Sequence, residues 1–78
     1  MPTVLRVGPF RFFFYAGDGD EPSHVHVERD DGEAKFWLDP IRLERSRGLR
    51  RNDVSRIREL IEEHAESLLE TWNDFFNG

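Results

Sequence analysis

The spacing of apolar residues changes once along this chain, and that change constrains the fold more than any other feature. Up to about residue 46 apolar and polar residues alternate in short runs. From Arg51 to Phe76 the residues Val54, Ile57, Ile61, Leu68, Trp72 and Phe75 recur at intervals built from three and four. Alternation at two is the repeat of a strand with one buried face, and recurrence near 3.6 is that of an amphipathic helix. The pattern predicts an α+β fold: a small, mostly antiparallel sheet of four to five strands within residues 3–46, then one long C-terminal helix over about 51–76 packed on one face.

Thr3 to Val7 and Phe10 to Tyr15 read as strands joined at Gly8-Pro9. His24 to Arg29 and Glu33 to Leu38 read as strands joined at Asp30-Asp31-Gly32. Ile41 to Arg45 is a fifth strand, at a sheet edge given its arginines. Residues 1–78 are expected to form a single domain, and a chain this short buries only about 60% of its unfolded surface. One helix covers one sheet face, so the other is expected to be open or covered by another chain.

Hydrophobic residues at 37% and charged residues at 35% suit a soluble globular protein. Without cysteine the chain has no disulfide framework, thiolate metal site or thiol nucleophile. No run approaches the roughly 20 apolar residues that span a bilayer, so no membrane association and a cytoplasmic location are expected. The net charge of -5 argues against a nucleic-acid binder, but seven of the eleven Lys and Arg residues fall between Arg42 and Arg58. Nucleic acid could therefore be met by the Arg42–Arg58 segment. Glu59, Glu62, Glu63, Glu66, Glu70 and Asp74 follow it. On one long helix that order opposes the macrodipole, which favours acids at the start and bases at the end.

The chemistry concentrates in Pro22-Ser23-His24-Val25-His26-Val27-Glu28. Alternation puts His24, His26 and Glu28 on one face and the valines on the other, with the histidines expected in reach of solvent. His24 and His26 stand about 6.6 Å apart along the strand, so two imidazoles can converge on one zinc-type ion, whereas Glu28 lies about 13 Å from His24 and cannot complete the site. A third ligand would come from Glu33 on the paired strand, or from Asp18 or Asp20 in the preceding loop. Imidazole also titrates near neutrality, so the same pair could act as acid and base in RNA cleavage. Asp18, Asp20 and Glu21 lack the spacing of a calcium loop and read as a solvated turn. His64, bordering the apolar stripe, reads as a capping or packing residue.

Phe10-Arg11-Phe12-Phe13-Phe14-Tyr15, Pro22-Ser23-His24-Val25-His26-Val27, Ala34-Lys35-Phe36-Trp37-Leu38, Ser46-Arg47-Gly48 and Trp72-Asn73, with the opening Pro2-Thr3-Val4-Leu5-Arg6, carry a resemblance over nearly the whole chain. The chain resembles a bacterial family known as domain of unknown function 4160. Members typically have two prolines before the first histidine, where this chain has Pro22-Ser23, and a Ser-type cap before the helix, where it has Arg50. Genes of the family often form compact two-gene units similar to toxin–antitoxin pairs, which implies a small protein partner.

The first expectation is thus an interaction component of a toxin–antitoxin-like pair, meeting its partner through the open sheet face and the helix, with Phe13 or Tyr15, His24, His26 and Trp37 at the interface. A homo-oligomer through the same open face is a further expectation. The second reading is a ribonuclease-type toxin in which His24 and His26 are catalytic and Lys35, Arg47 and Arg50 hold phosphates, with Arg51 a further binding residue at the arginine-rich start of the helix. The third is a metal-binding module with His24 and His26 as ligands. No cofactor is expected.

Overall fold

The computed structural model describes residues 3–77; Met1, Pro2 and Gly78 lie outside the described residues. Five strands form one antiparallel sheet in chain order: β1 (Thr3–Val7), β2 (Phe10–Phe13), β3 (His24–Arg29), β4 (Gly32–Leu38) and β5 (Ile41–Arg47). Three of the four connections are two-residue turns, closing Val7 on Phe10, Arg29 on Gly32 and Leu38 on Ile41. Gly8 and Asp30 open the first two with positive φ of 55° and 53°, which the primed turns of tight hairpins require. The β2–β3 connection is longer and contains a 3-10 helix, Ala16–Asp20. The strand expected over Phe10 to Tyr15 therefore stops at Phe13.

The expectation of one long helix is corrected to two, α1 (Arg51–Glu63) and α2 (Ala65–Asn77), separated at His64. The His64 backbone N–H is shared between the carbonyls of Leu60 and Ile61 at 3.0 and 3.2 Å, while its Nδ1 lies 2.9 Å from the Leu60 oxygen. A side chain competing for a helical carbonyl offers the backbone an alternative to the next regular bond, and the helix ends there. The break also revises the dipole argument. Glu66 falls in the first turn of α2 and Asp53 in that of α1, where acids are favourable; Glu62 and Glu63 remain at an unfavourable C-terminal end. Arg50 offers no side-chain cap, but the Asp53 carboxylate accepts its backbone N–H at 3.2 Å, half of a capping box.

The core lies between one sheet face and the helices. Phe10, Phe12, Phe14, Val25, Val27, Ala34, Phe36 and Leu38 meet Ile57, Leu60, Ile61, Leu68 and Trp72, all buried. The acids Glu59, Glu62, Glu63, Glu66, Glu70 and Asp74 are exposed on the helices. No described helix is long and apolar enough to cross a membrane.

On the opposite face the register builds cross-strand rows. Phe13, His26, Lys35 and Arg45 are successive partners across β2 to β5, as are Arg11, Glu28, Glu33 and Arg47. Glu28 and Glu33 stand directly opposite each other, a repulsive pairing offset by Arg11 at 2.7 Å from Glu28 and Arg47 at 3.6 Å from Glu33. In β5 a bulge changes the sequence parity. Register shifts between Lys35 and Phe36, so Arg42, Arg45 and Arg47 all pair with residues of the histidine face, namely Trp37, Lys35 and Glu33. Leu43 and Ile41 pair instead with core-facing Phe36 and Leu38.

Candidate functional site

β3 begins at His24, and its alternation places Val25 and Val27 in the core with the histidines on the other side. The expectation that the histidines reach solvent is corrected: His24 is 0% and His26 7% exposed. Their cover is the chain's own β2–β3 connection. Gly19 lets it approach α2, since a Cβ there would lie 2.8 Å from the Phe76 ring. The 3-10 helix thereby hangs over the first residues of β3, and the second sheet face is not fully open.

Asp18, expected in a solvated turn, is half-buried and central to this cover. Its Oδ2 accepts the Tyr15 backbone N–H at 2.9 Å and lies 3.1 Å from His26 Nε2 and 3.2 Å from His24 Nε2. His24 Nδ1 is 2.9 Å from the Pro22 carbonyl oxygen. A carbonyl can only accept, so Nδ1 carries the proton, and in the neutral ring Nε2 presents a lone pair. The contact to Asp18 is short but has no hydrogen-bond geometry, leaving Nε2 of His24 buried without a partner. The ligating atoms of Asp18, His24 and His26 all lie within 4.8 Å of one another. Of the third ligands weighed from sequence, the structure brings in Asp18.

Rings enclose the cluster. His24 meets Trp37 and Trp72 at centroid distances of 5.5 and 5.1 Å, and His26 lies between Phe13 at 5.6 Å and Tyr15 at 4.6 Å. Burial disfavours imidazolium and pulls the His26 pKa below its usual value, with nearby Asp18 only partly offsetting it. Beside His26, Lys35 is 7% exposed; its Nζ donates to Glu21 at 2.7 Å and sits 4.7 Å from the Trp37 ring centroid. That hydrogen bond, with the charge of Lys35 behind it, holds the Glu21 carboxyl below its ordinary pKa.

The other residues singled out from sequence divide into two groups. Phe13 is buried beneath the cluster and Tyr15 is exposed at its rim, while Trp37 is half-buried and bonds Glu44 through Nε1 at 3.2 Å. Arg47 lines a cavity of about 240 Å³ with His26, Glu33, Lys35, Arg45 and Ser46. Arg50 and Arg51 lie elsewhere, at the start of α1, where Arg50 shares a different cavity with Arg29 and the β3–β4 turn. Since that turn closes the far end of β3, the structure does not join Arg50 and Arg51 to the histidines. Alternation places Arg45 on the face of Arg47, and the bulge brings Arg42 onto it as well, which no sequence pattern marks.

A family model described as "Domain of unknown function (DUF4160)" matches residues 10–73, from the first core phenylalanine to the residue after Trp72. The chain belongs to this family. The matched span contains the 3-10 helix, both site histidines, Lys35 and the arginines of β5, so the whole cluster is built from the family's own region. No curated protein and no solved structure matches the chain.

Proposed function

We propose that this protein is the RNA-directed member of a toxin–antitoxin-like pair, cytoplasmic, and that it holds the phosphate backbone along the histidine face and the β5 edge. The single observation behind this reading is the bulge that sets Arg42, Arg45 and Arg47 on the same face as Lys35 and His26, with Arg45 and Arg47 lining one cavity beside them. Among the described residues Arg42 and Arg45 have no ion-pair partner, so their charge is available to an anion. Of the acids behind the net charge of -5, Glu59, Glu62, Glu63, Glu66, Glu70 and Asp74 are exposed on the helices, while on the histidine face Glu21, Glu28 and Glu33 are paired with Lys35, Arg11 and Arg47 and Glu44 accepts from Trp37. With His24 fully buried, the two histidines do not form an acid–base pair that both touch substrate; only His26 lines the cavity.

Induced expression of the wild type should arrest bacterial growth, and R42Q/R45Q/R47Q should relieve the arrest while remaining folded. The same triple variant should weaken binding of single-stranded RNA and flatten its salt dependence by roughly 2 in log–log slope, about 0.7 per lost phosphate contact. Unchanged RNA affinity in the triple variant would remove the reading. A second reading, an interaction component that neutralises or escorts a protein partner, is favoured by Tyr15 and Phe75, the large hydrophobic side chains left 39% and 44% exposed. Growth without arrest, together with capture of the product of the adjacent gene that is lost in Y15S/F75S, would put that reading first.

A further inference from the structure

We propose that Asp18, His24 and His26 bind a divalent transition-metal ion of the zinc class. This inference goes beyond the RNA reading and does not depend on it: an ion bound in a chain that ignores RNA would leave it standing.

The argument begins with the unpartnered atom. Nε2 of His24 is fully buried, carries a lone pair in the neutral ring whose Nδ1 donates to Pro22, and faces the Asp18 oxygen at 3.2 Å without a hydrogen bond. A lone pair opposite a carboxylate is repulsive, and a buried polar atom without a partner costs about 1–3 kcal/mol. A cation between the two atoms satisfies both. The Nδ1–H bond to a backbone carbonyl is also the outer contact that metal-bound histidines characteristically make, fixing tautomer and ring orientation before the ion arrives.

Distances agree with that role. Ligand bonds of about 2.0–2.1 Å at tetrahedral angles place neighbouring ligand atoms about 3.3 Å apart. The Asp18 oxygen stands 3.2 Å from one imidazole nitrogen and 3.1 Å from the other, near that tetrahedral edge, and the two nitrogens are within 4.8 Å. Two imidazoles and one carboxylate suit zinc, cobalt or nickel and do not suit calcium or magnesium, which take oxygen ligands. Three protein ligands leave a fourth tetrahedral position open, the arrangement of reactive rather than purely structural zinc sites. The ring-lined surroundings supply a dry shell, and Glu21 neutralises the nearby Lys35, which would otherwise repel a cation.

The test uses the full chain purified without a polyhistidine tag, stripped with chelator and titrated with Zn²⁺ and separately with Co²⁺. One equivalent of either ion should bind, raise the thermal midpoint, and with Co²⁺ give the intense visible absorption of a tetrahedral site. Asp18→Asn and His26→Gln, each shown to be folded by circular dichroism, should lower affinity by more than about 100-fold, since losing even an outer-shell partner costs roughly 10–100-fold. Glu28→Gln, on the same face but remote from the cluster, should bind like the wild type. Binding by the wild type no tighter than by Asp18→Asn, or equal loss in Glu28→Gln, would overturn the proposal. So would Co²⁺ that binds with the weak absorption of an octahedral, water-coordinated ion.

Discussion

The two faces of the sheet are both buried around β3, but by different means. On one, Val25 and Val27 are covered by two helices with apolar side chains in close contact. On the other, His24 and His26 are covered by the β2–β3 connection, with its five-residue 3-10 helix, which brings a carboxylate to them. The first arrangement is stabilised by removing apolar area from water, about 25 cal/mol per Å². The second withdraws two imidazoles and a lysine from water and leaves one imidazole nitrogen unsatisfied. A domain of this size has little stability in reserve, so the difference marks the helix-covered face as scaffold and the loop-covered face as site.

Substitution on each face should break that comparison if it is wrong. Phe36→Ala removes a fully buried ring from the scaffold face and should cost about 3–5 kcal/mol in denaturant unfolding, the largest effect expected from a single residue. A loss below about 1 kcal/mol would show that the helices do not hold the sheet as described. His24→Leu, at an equally buried position, should behave differently. Removing the unpartnered nitrogen gains about 1–3 kcal/mol and losing the Nδ1–H bond to Pro22 costs about 0.5–1.5 kcal/mol, so the metal-free protein should change little, while any stabilisation by Zn²⁺ is abolished. If His24→Leu instead destabilised the chain as much as Phe36→Ala does, the histidine face would be scaffold as well.

The scaffold face was legible in the sequence to a degree that the site was not. Alternation in Val25-His26-Val27 and Ala34-Lys35-Phe36 assigns each residue a side, and Gly8-Pro9 and Asp30-Asp31 mark two hairpin turns, so the pairings of β1 with β2 and of β3 with β4 follow from short-range pattern alone. Depth on the far side does not follow, because it depends on a glycine-rich connection folding back over β3, with Gly19 admitted against Phe76. Asp18 could therefore be weighed from sequence as a third ligand beside Glu33 and Asp20, with nothing to choose among them. The break between α1 and α2 was hidden for another reason: the apolar spacing runs on from Ile61 to Leu68 with no proline or glycine between. His64 ends the helix through its own ring nitrogen at the Leu60 carbonyl. The bulge in β5 likewise has no composition signal, which is why Arg42 joins Arg45 and Arg47 on this face only in three dimensions.

The smallest expected effect concerns how the connection is pinned over the histidines. Glu21 is half exposed, and its bond to Lys35 holds its pKa below the ordinary 4.5. A carboxyl whose pKa is lower in the folded than in the unfolded state contributes stability that is fully present above the unfolded value. That contribution declines as pH falls through the folded value. The stability difference between wild type and Glu21→Gln should thus be constant at pH values above 4.5 and shrink towards zero in more acidic solution. Solvent at Glu21 keeps the difference modest, as for exposed ion pairs generally. Lys35 adds to it from the other side, since its buried ammonium would keep a neutral amide oxygen and the Trp37 ring but lose its counter-charge. If Glu21→Gln unfolded identically to wild type at neutral pH, the connection would be held by Asp18 and the Gly19–Phe76 contact alone. The loop-covered face would then owe its burial to the proposed ion ligands and to the packing of Gly19 on Phe76, with no share from the Glu21–Lys35 pair.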